Sequence, residues 1–213
     1  NYANGNASGV TYIYMAIRGP MMVEPEAATD VFAISTYANS AANAADVRHY
    51  SGFPVDTYLG IDNVAAAGNN RLFASRKTHS STDTLASGTE FLNLNTSGTA
   101  GSNGSDWFNT NSGIEPNLSN QTENANNVRW MWKRAKGFFD VVAYTGTGSA
   151  TTVAHSLGAV PEMIWAKRRN GSNGWFVYTA DGAGTKYLHL QENYAYSTNA
   201  TGFNNTAATS SVF

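Results

Sequence analysis

The sequence predicts an all-β fold, arranged as two tandem antiparallel β-sandwich or jelly-roll modules, and three observations lead there. Charged residues make up 13% of the 213, well below the roughly 25% of an ordinary soluble domain. Polar surface must therefore come from Asn, Ser, Thr and Gly, which is the composition of short strands joined by turns and not of helices with charged outer faces. Apolar runs rich in aromatic and β-branched residues recur every 10 to 15 residues between Gly and Asn clusters, the pattern of sandwich strands. Finally, blocks in the first part of the chain return in the same order in the second.

Taken along the chain, the blocks read as strands. Val10-Thr-Tyr-Ile-Tyr-Met-Ala-Ile-Arg18-Gly19 is apolar on both faces and aligns with Val128-Arg-Trp-Met-Trp-Lys-Arg-Ala-Lys136-Gly137 at an offset of 118. Asp30-Val-Phe-Ala-Ile34 matches Asp140-Val-Val-Ala-Tyr144 at 110, and Val47-Arg-His49 matches Val153-Ala-His155 at 106. Pro54 answers Pro161 at 107, each with an acid close behind (Asp56 and Glu162). Asn70–Phe73 resembles Asn173–Phe176 at 103, Gly88–Leu94 matches Gly184–Leu190 at 96, and Trp107–Thr110 echoes Gly202–Asn205 at 95. An offset that falls almost steadily through seven collinear blocks is what one module, repeated with shorter loops, produces. Gly146-Thr-Gly148, Asn170-Gly171 and Asp181-Gly182 supply hairpin turns. Helix is weakly signalled, by Ala-rich stretches at Glu26–Thr29 and Ser40–Asp46 that lack helical periodicity.

The phase of the repeat has two readings. If the Val10–Arg18 strand ends a module, residues 1–18 close a preceding one, 19–136 form module A, and 137–213 form module B without its last strand. If that strand begins a module, it is the first strand of module A. The polar opening without a Met leads us to expect a fragment of a longer protein.

Composition also excludes. A net charge of −2 with no basic stripe argues against nucleic acid. No apolar run approaches 18 residues, so membrane insertion as a helix is not expected. With no cysteine, neither a disulfide framework nor a Cys-based metal site can form, and no metal or other cofactor is expected.

Motifs that imitate chemistry weaken in context. Ala154-His-Ser-Leu-Gly158 resembles a nucleophile elbow, which needs a following helix. Pro161 lies too close for one, and the aligned Arg48-His-Tyr-Ser-Gly52 loses the spacing. His49 and His155 recur with Asp30 and Asp140 and with Asp56 and Glu162, and a carboxylate beside a His could bind metal or transfer protons. Together with Pro54 and Pro161 they are read instead as structural positions that the repeats share. Gly146-Thr-Gly148 lacks the third Gly and the helix of a phosphate loop. Among the aromatics, Tyr12, Tyr14, Trp130, Trp132, Trp165 and Phe176 fall in strand blocks and are expected in cores. Trp107, Tyr194 and Tyr196 sit in or beside polar loops, where a ring either stacks on a sugar or folds back over the sandwich edge. They are the candidate glycan-binding residues, and no catalytic residues are assigned.

The stretches Phe139–Gly148, Thr152–Gly158, Val160–Arg169, Trp175–Tyr178, Gly184–Leu188 and Asn6–Tyr14 resemble a module repeated in tail fibres and other virion appendages of bacteriophages, notably those of marine and cyanobacterial hosts. The resemblance covers 137–213 and 6–18 well and 19–127 in outline. It implies a concanavalin- or laminin-G-like sandwich on a virion, hence an extracellular location. It brings no catalytic residues with it. The expectation is a non-enzymatic structural and host-surface-binding segment of a tail fibre. Its expected partners are other virion proteins, copies of itself in a trimer or larger array, and a host-surface glycan. A secreted, lectin-like carbohydrate-binding module is the alternative. A glycan-cleaving depolymerase is the second alternative, and it needs two carboxylates across one groove.

Overall fold

In chain order the strands are β1 (Phe32–Thr36), β2 (His49–Tyr50), β3 (Thr57–Asp62), β4 (Asn70–Ser75), β5 (Thr89–Asn93), β6 (Gly101–Asn103), β7 (Gly113–Ile114), β8 (Val128–Trp132), β9 (Met163–Ala166), β10 (Phe176–Thr179), β11 (Lys186–His189) and β12 (Ser197–Thr198). A four-residue helix, α1 (Ala200–Phe203), follows. They come from a computed structural model that describes residues 24–36, 49–62, 70–78, 89–103, 106–115, 127–198 and 200–213. The expected Val10–Arg18 strand and the Ser40–Asp46 stretch lie outside the described residues. Every strand pair is antiparallel, and the strands form three sheets. The all-β class read from the sequence is the observed one. The Glu26–Thr29 region contributes only a single 3-10 turn at Ala28–Asp30.

The largest sheet runs β1-β8-β3-β4-β5-β6. β8, apolar on both faces in the sequence, is bonded on both sides, Trp132 opposing Phe32 on one and Thr57 on the other. A central place satisfies its backbone groups and covers its side chains, which an edge would not do. The register puts Tyr58 beside both Ala74 and Met131, and that face packs on Phe53, Val55, Trp107, Phe108 and Ile114. The short β2–β7 ladder supplies Ile114 to this core. Gly113 is required there, since a Cβ would lie 1.9 Å from the His49 carbonyl oxygen.

The second sheet runs β12-β11-β10-β9. Tyr178 and Tyr187 are buried on one face, the first edge-on to Phe203 of α1 at 5.4 Å and the second against Gly202. The Tyr178 hydroxyl accepts from the Ala208 N–H at 3.2 Å. Gly184, at φ +77°, lets the chain pass the Thr206 carbonyl, which a Cβ would approach to 2.1 Å.

The two larger sheets touch through Trp175, which is buried. Its indole N–H donates to the Asn93 carbonyl at 2.8 Å, and its ring stands edge-on to Phe73. Beside it Arg169 pairs with Glu90, and Lys167 Nζ donates to the carbonyls of Ser97 and Gly98. At the other end Arg134 binds Asp140 through Nε at 2.6 Å and Asp56 Oδ2 through its backbone N–H at 2.8 Å.

Two sequence expectations need correction. The Asp140–Tyr144 block, aligned with a real strand, forms none. β1 has β8 to bond with, whereas residues 141–147 meet no partner strand among the described residues, and a strand exists only through its ladder. Trp165, expected in a core, is half-buried, as are Trp130, Trp132 and Phe176.

Candidate functional site

Of the three loop aromatics, two reach the surface. Tyr194 follows the turn after β11 and is 64% exposed, its ring edge-on to His189 at 6.4 Å. Tyr196, 41% exposed, is pinned by its hydroxyl, which shares a 2.9 Å hydrogen bond with Thr179 Oγ1 and donates to Asp181 Oδ1 at 3.4 Å. The Asp181 carboxyl is held below the ordinary carboxylate value, first by the Thr179 side chain, against an opposing effect of desolvation, with backbone N–H groups and the Tyr196 hydroxyl adding to the lowering. One ring is thus free to stack and the other is fixed with its hydroxyl engaged.

Trp107 is corrected. It is fully buried, stacked on Phe91 at 6.0 Å and tilted against Tyr58 at 5.5 Å. Its backbone is tied in as well, its N–H to Thr89 Oγ1 and its carbonyl to the Glu115 N–H. The loop around it is polar because it runs over the surface, while the one large apolar side chain turns inward to fill the core. Trp107 therefore cannot meet a glycan, and it belongs to the first sheet's core, whereas Tyr194 and Tyr196 lie at the surface beside the second sheet.

The repeat-equivalent residues make packing and backbone contacts. Buried His49 meets Ser35 Oγ through Nδ1 at 2.9 Å, and His155 meets the Thr209 carbonyl through Nε2 at 3.1 Å. Asp140, almost wholly buried, accepts from Arg134, Val141 N–H and Ser156 N–H. Asp30 is exposed and accepts a local bond from the Ala27 N–H. Pro54 is exposed and Pro161 buried. Ser156, centre of the elbow-like motif, is exposed and followed by bends rather than a helix. Among the described residues no three His, Asp or Glu side chains gather as metal ligands would.

A cleft of about 200 Å³ that the sequence did not indicate lies where the two larger sheets meet. Arg71, Leu94 and Asn95 line it from the first sheet, and Trp165, Leu190 and Gln191 from the second. The Trp165 indole N–H is shielded from solvent and makes no hydrogen bond among the described residues, although buried polar groups are normally satisfied. Gln191 is oriented by the Trp175 N–H, which donates to its Oε1 at 2.8 Å. No local motif could have found this site, because its walls come from residues up to 120 positions apart. Its lining offers an indole, a guanidinium, two amides and two leucine side chains.

A family model described as Domain of unknown function (DUF7483) matches residues 68–213, from just before β4 through the whole second sheet. No curated protein and no solved structure matches the chain.

Proposed function

For this chain, which belongs to the DUF7483 family, we propose a role as a structural and host-surface-binding segment of a virion appendage of the phage tail-fibre type, non-catalytic and extracellular. It is built from two tandem sandwich modules of the concanavalin or laminin-G kind. One observation carries the module reading. The meander β3-β4-β5-β6 and the meander β12-β11-β10-β9 have the same neighbour order when read from β3 and from β9. Shifted by the sequence offsets of 107 and 103, the Thr57–Ser75 pair becomes residues 164 and 178, and Ile164 does oppose Tyr178. Later pairs agree to within one residue. Each meander is also flanked by a bridge between the segment before it and the segment after it, His49 with Ile114 in the first and Ala154 with Val212 in the second.

The virion part of the proposal rests on the sequence resemblance and on a surface built from uncharged polar residues. Binding is supported by Tyr194 and by the Trp165 cleft, since an aromatic face beside amide and guanidinium groups suits a polyhydroxylated ring. Those same features favour a secreted lectin-like module as the second reading. Mass spectrometry of purified virions separates the two: the chain's presence in the particle is the expected result, and its absence from every virion fraction overturns the first reading. On a glycan array, Tyr194→Ala and Trp165→Phe are expected to weaken whatever signal the parent gives while leaving its melting temperature within a few degrees. If both variants bind like the parent, neither location is the site.

A further inference from the structure

We infer that the cleft at Trp165 takes a single carboxylate-bearing sugar ring, a hexuronic acid, with Arg71 gripping the carboxylate. The inference deepens, and rests on, the proposed reading of this cleft as a glycan site. Its volume of about 200 Å³ lies below the roughly 300–1,000 Å³ that drug-sized ligands fill, which suits one ring and not an oligosaccharide. The walls are built on ladder ends. On one side the Leu94 N–H donates to the Arg71 carbonyl at 2.7 Å, so Arg71, Leu94 and the following Asn95 prolong the β4–β5 pairing. On the other the Leu190 N–H donates to the Trp175 carbonyl at 3.3 Å, so Leu190 and Gln191 prolong the β10–β11 pairing. Trp165 stands edge-on to Trp175 at 6.4 Å, and Trp175 is itself fixed by the Asn93 carbonyl. Groups held in place before a ligand arrives lose little freedom in binding it.

The lining is rich in donors and poor in acceptors. A guanidinium carries five N–H donors and no acceptor, and an indole is a donor only. Arg71 is exposed to an incoming ligand, and the Trp165 N–H, shielded from solvent, has no partner among the described residues. Gln191 already engages its Oε1 with the Trp175 N–H at 2.8 Å. Gly174 leaves room for that amide, since a Cβ there would run into Nε2. No Asp or Glu lines the cleft. At the same junction Glu90 is paired with Arg169, and Lys167, two residues past Trp165, holds the Ser97 and Gly98 carbonyls beyond Asn95. This concentration of cations stands in a chain whose net charge is −2. An anion with several acceptor oxygens answers such a lining. A planar carboxylate meets the guanidinium fork in a two-point contact. Sugar hydroxyls accept from the indole, and Leu94 and Leu190 offer apolar surface to the C–H face of the ring.

The test titrates methyl glucuronide, methyl glucoside and methyl glucoside 6-sulfate into the 213-residue chain. The readout is the NMR signal of the Trp165 indole N–H, identified by its loss in Trp165→Phe. The glucuronide is expected to move this signal to saturation with a Kd about tenfold below that of the glucoside, the margin of a charge-assisted over a neutral contact. Arg71→Met is expected to raise the glucuronide Kd to that of the glucoside and to leave the glucoside Kd and the melting temperature nearly unchanged. Arg71→Lys, which keeps the charge and loses the fork, is expected to weaken the glucuronide alone. Equal Kd values for glucuronide and glucoside, or a glucuronide Kd that both Arg71 variants leave unchanged, overturn the carboxylate assignment while the cleft stands as a neutral-glycan site. A sulfate that binds as tightly as the glucuronide overturns it too, since charge without a planar carboxylate then suffices. If no sugar moves the Trp165 signal, the glycan reading of the cleft falls along with the inference.

Discussion

In the first sheet β8 is bonded on both sides, and one face of the sheet is closed by Trp107, Phe108 and Ile114 arriving from loops and from a second, two-stranded ladder. Among the described residues of the second sheet, β9 is bonded on one side, α1 packs on Tyr178 and Tyr187, and nearby Met163 and Tyr144 are exposed. The two meanders are alike in strand order and differ in what surrounds them. Order and hairpin register come from local turns and alternation, which a short sequence block can encode. Closure of a core comes from distant residues, and among the described residues it is seen for the first sheet.

Removing the first sheet's cap should widen this contrast most. Trp107→Ala is expected to cost about 3–5 kcal/mol, the range for deleting a buried indole, visible as a large fall in the calorimetric melting temperature. A loss below about 1 kcal/mol would mean that the loop, not the ring, holds the core. Next in size is the joint between the halves. Asp140→Asn removes the charge facing Arg134 and leaves one acceptor oxygen where the carboxylate had two, Oδ1 for Arg134 and the Val141 N–H and Oδ2 for the Ser156 N–H. The expected loss is about 1–3 kcal/mol in urea titration, and an unchanged midpoint would show that the halves do not lean on this pair.

The smallest effect concerns the exposed end of the second sheet. Asp181 titrates below its ordinary value of 3.8, chiefly through Thr179. The folded carboxylate is therefore favoured, and its contribution is present above about pH 3.8 and lost as pH falls through the lower folded value. Thr179→Val should raise the Asp181 value toward 3.8, read by carboxyl NMR. No movement would place the cause elsewhere.

Much of the fold was legible before any coordinates. Low charge and turn spacing gave the all-β class, and the blocks at Val128, Met163 and Trp175 fall on β8, β9 and β10 with ends shifted by a few residues. The block at Asp140 looked equally strand-like and is not a strand, because propensity proposes a strand and only a neighbour makes one. The site was less legible. Tyr194 and Tyr196 were visible as loop aromatics and do reach the surface. Trp107 has the same local sequence character and is buried, since whether a loop lies over a sheet or away from it is decided by residues far along the chain. The Trp165 cleft was invisible for the same reason.

Lys167 carries a further consequence. Its ammonium donates to the carbonyls of Ser97, Gly98, Arg168 and Asn173 at 2.5 to 3.2 Å, and burial pulls its pKa below the ordinary lysine value. In ionic terms it is a cation whose water shell has been partly exchanged for backbone oxygens. Those oxygens converge on a point, which a compact ammonium can occupy and the flat fork of an arginine cannot. Two of them belong to the loop after β5 and two to the turn after β9. The same tethered ion solvates both, and neither segment can swing away without returning that charge to water.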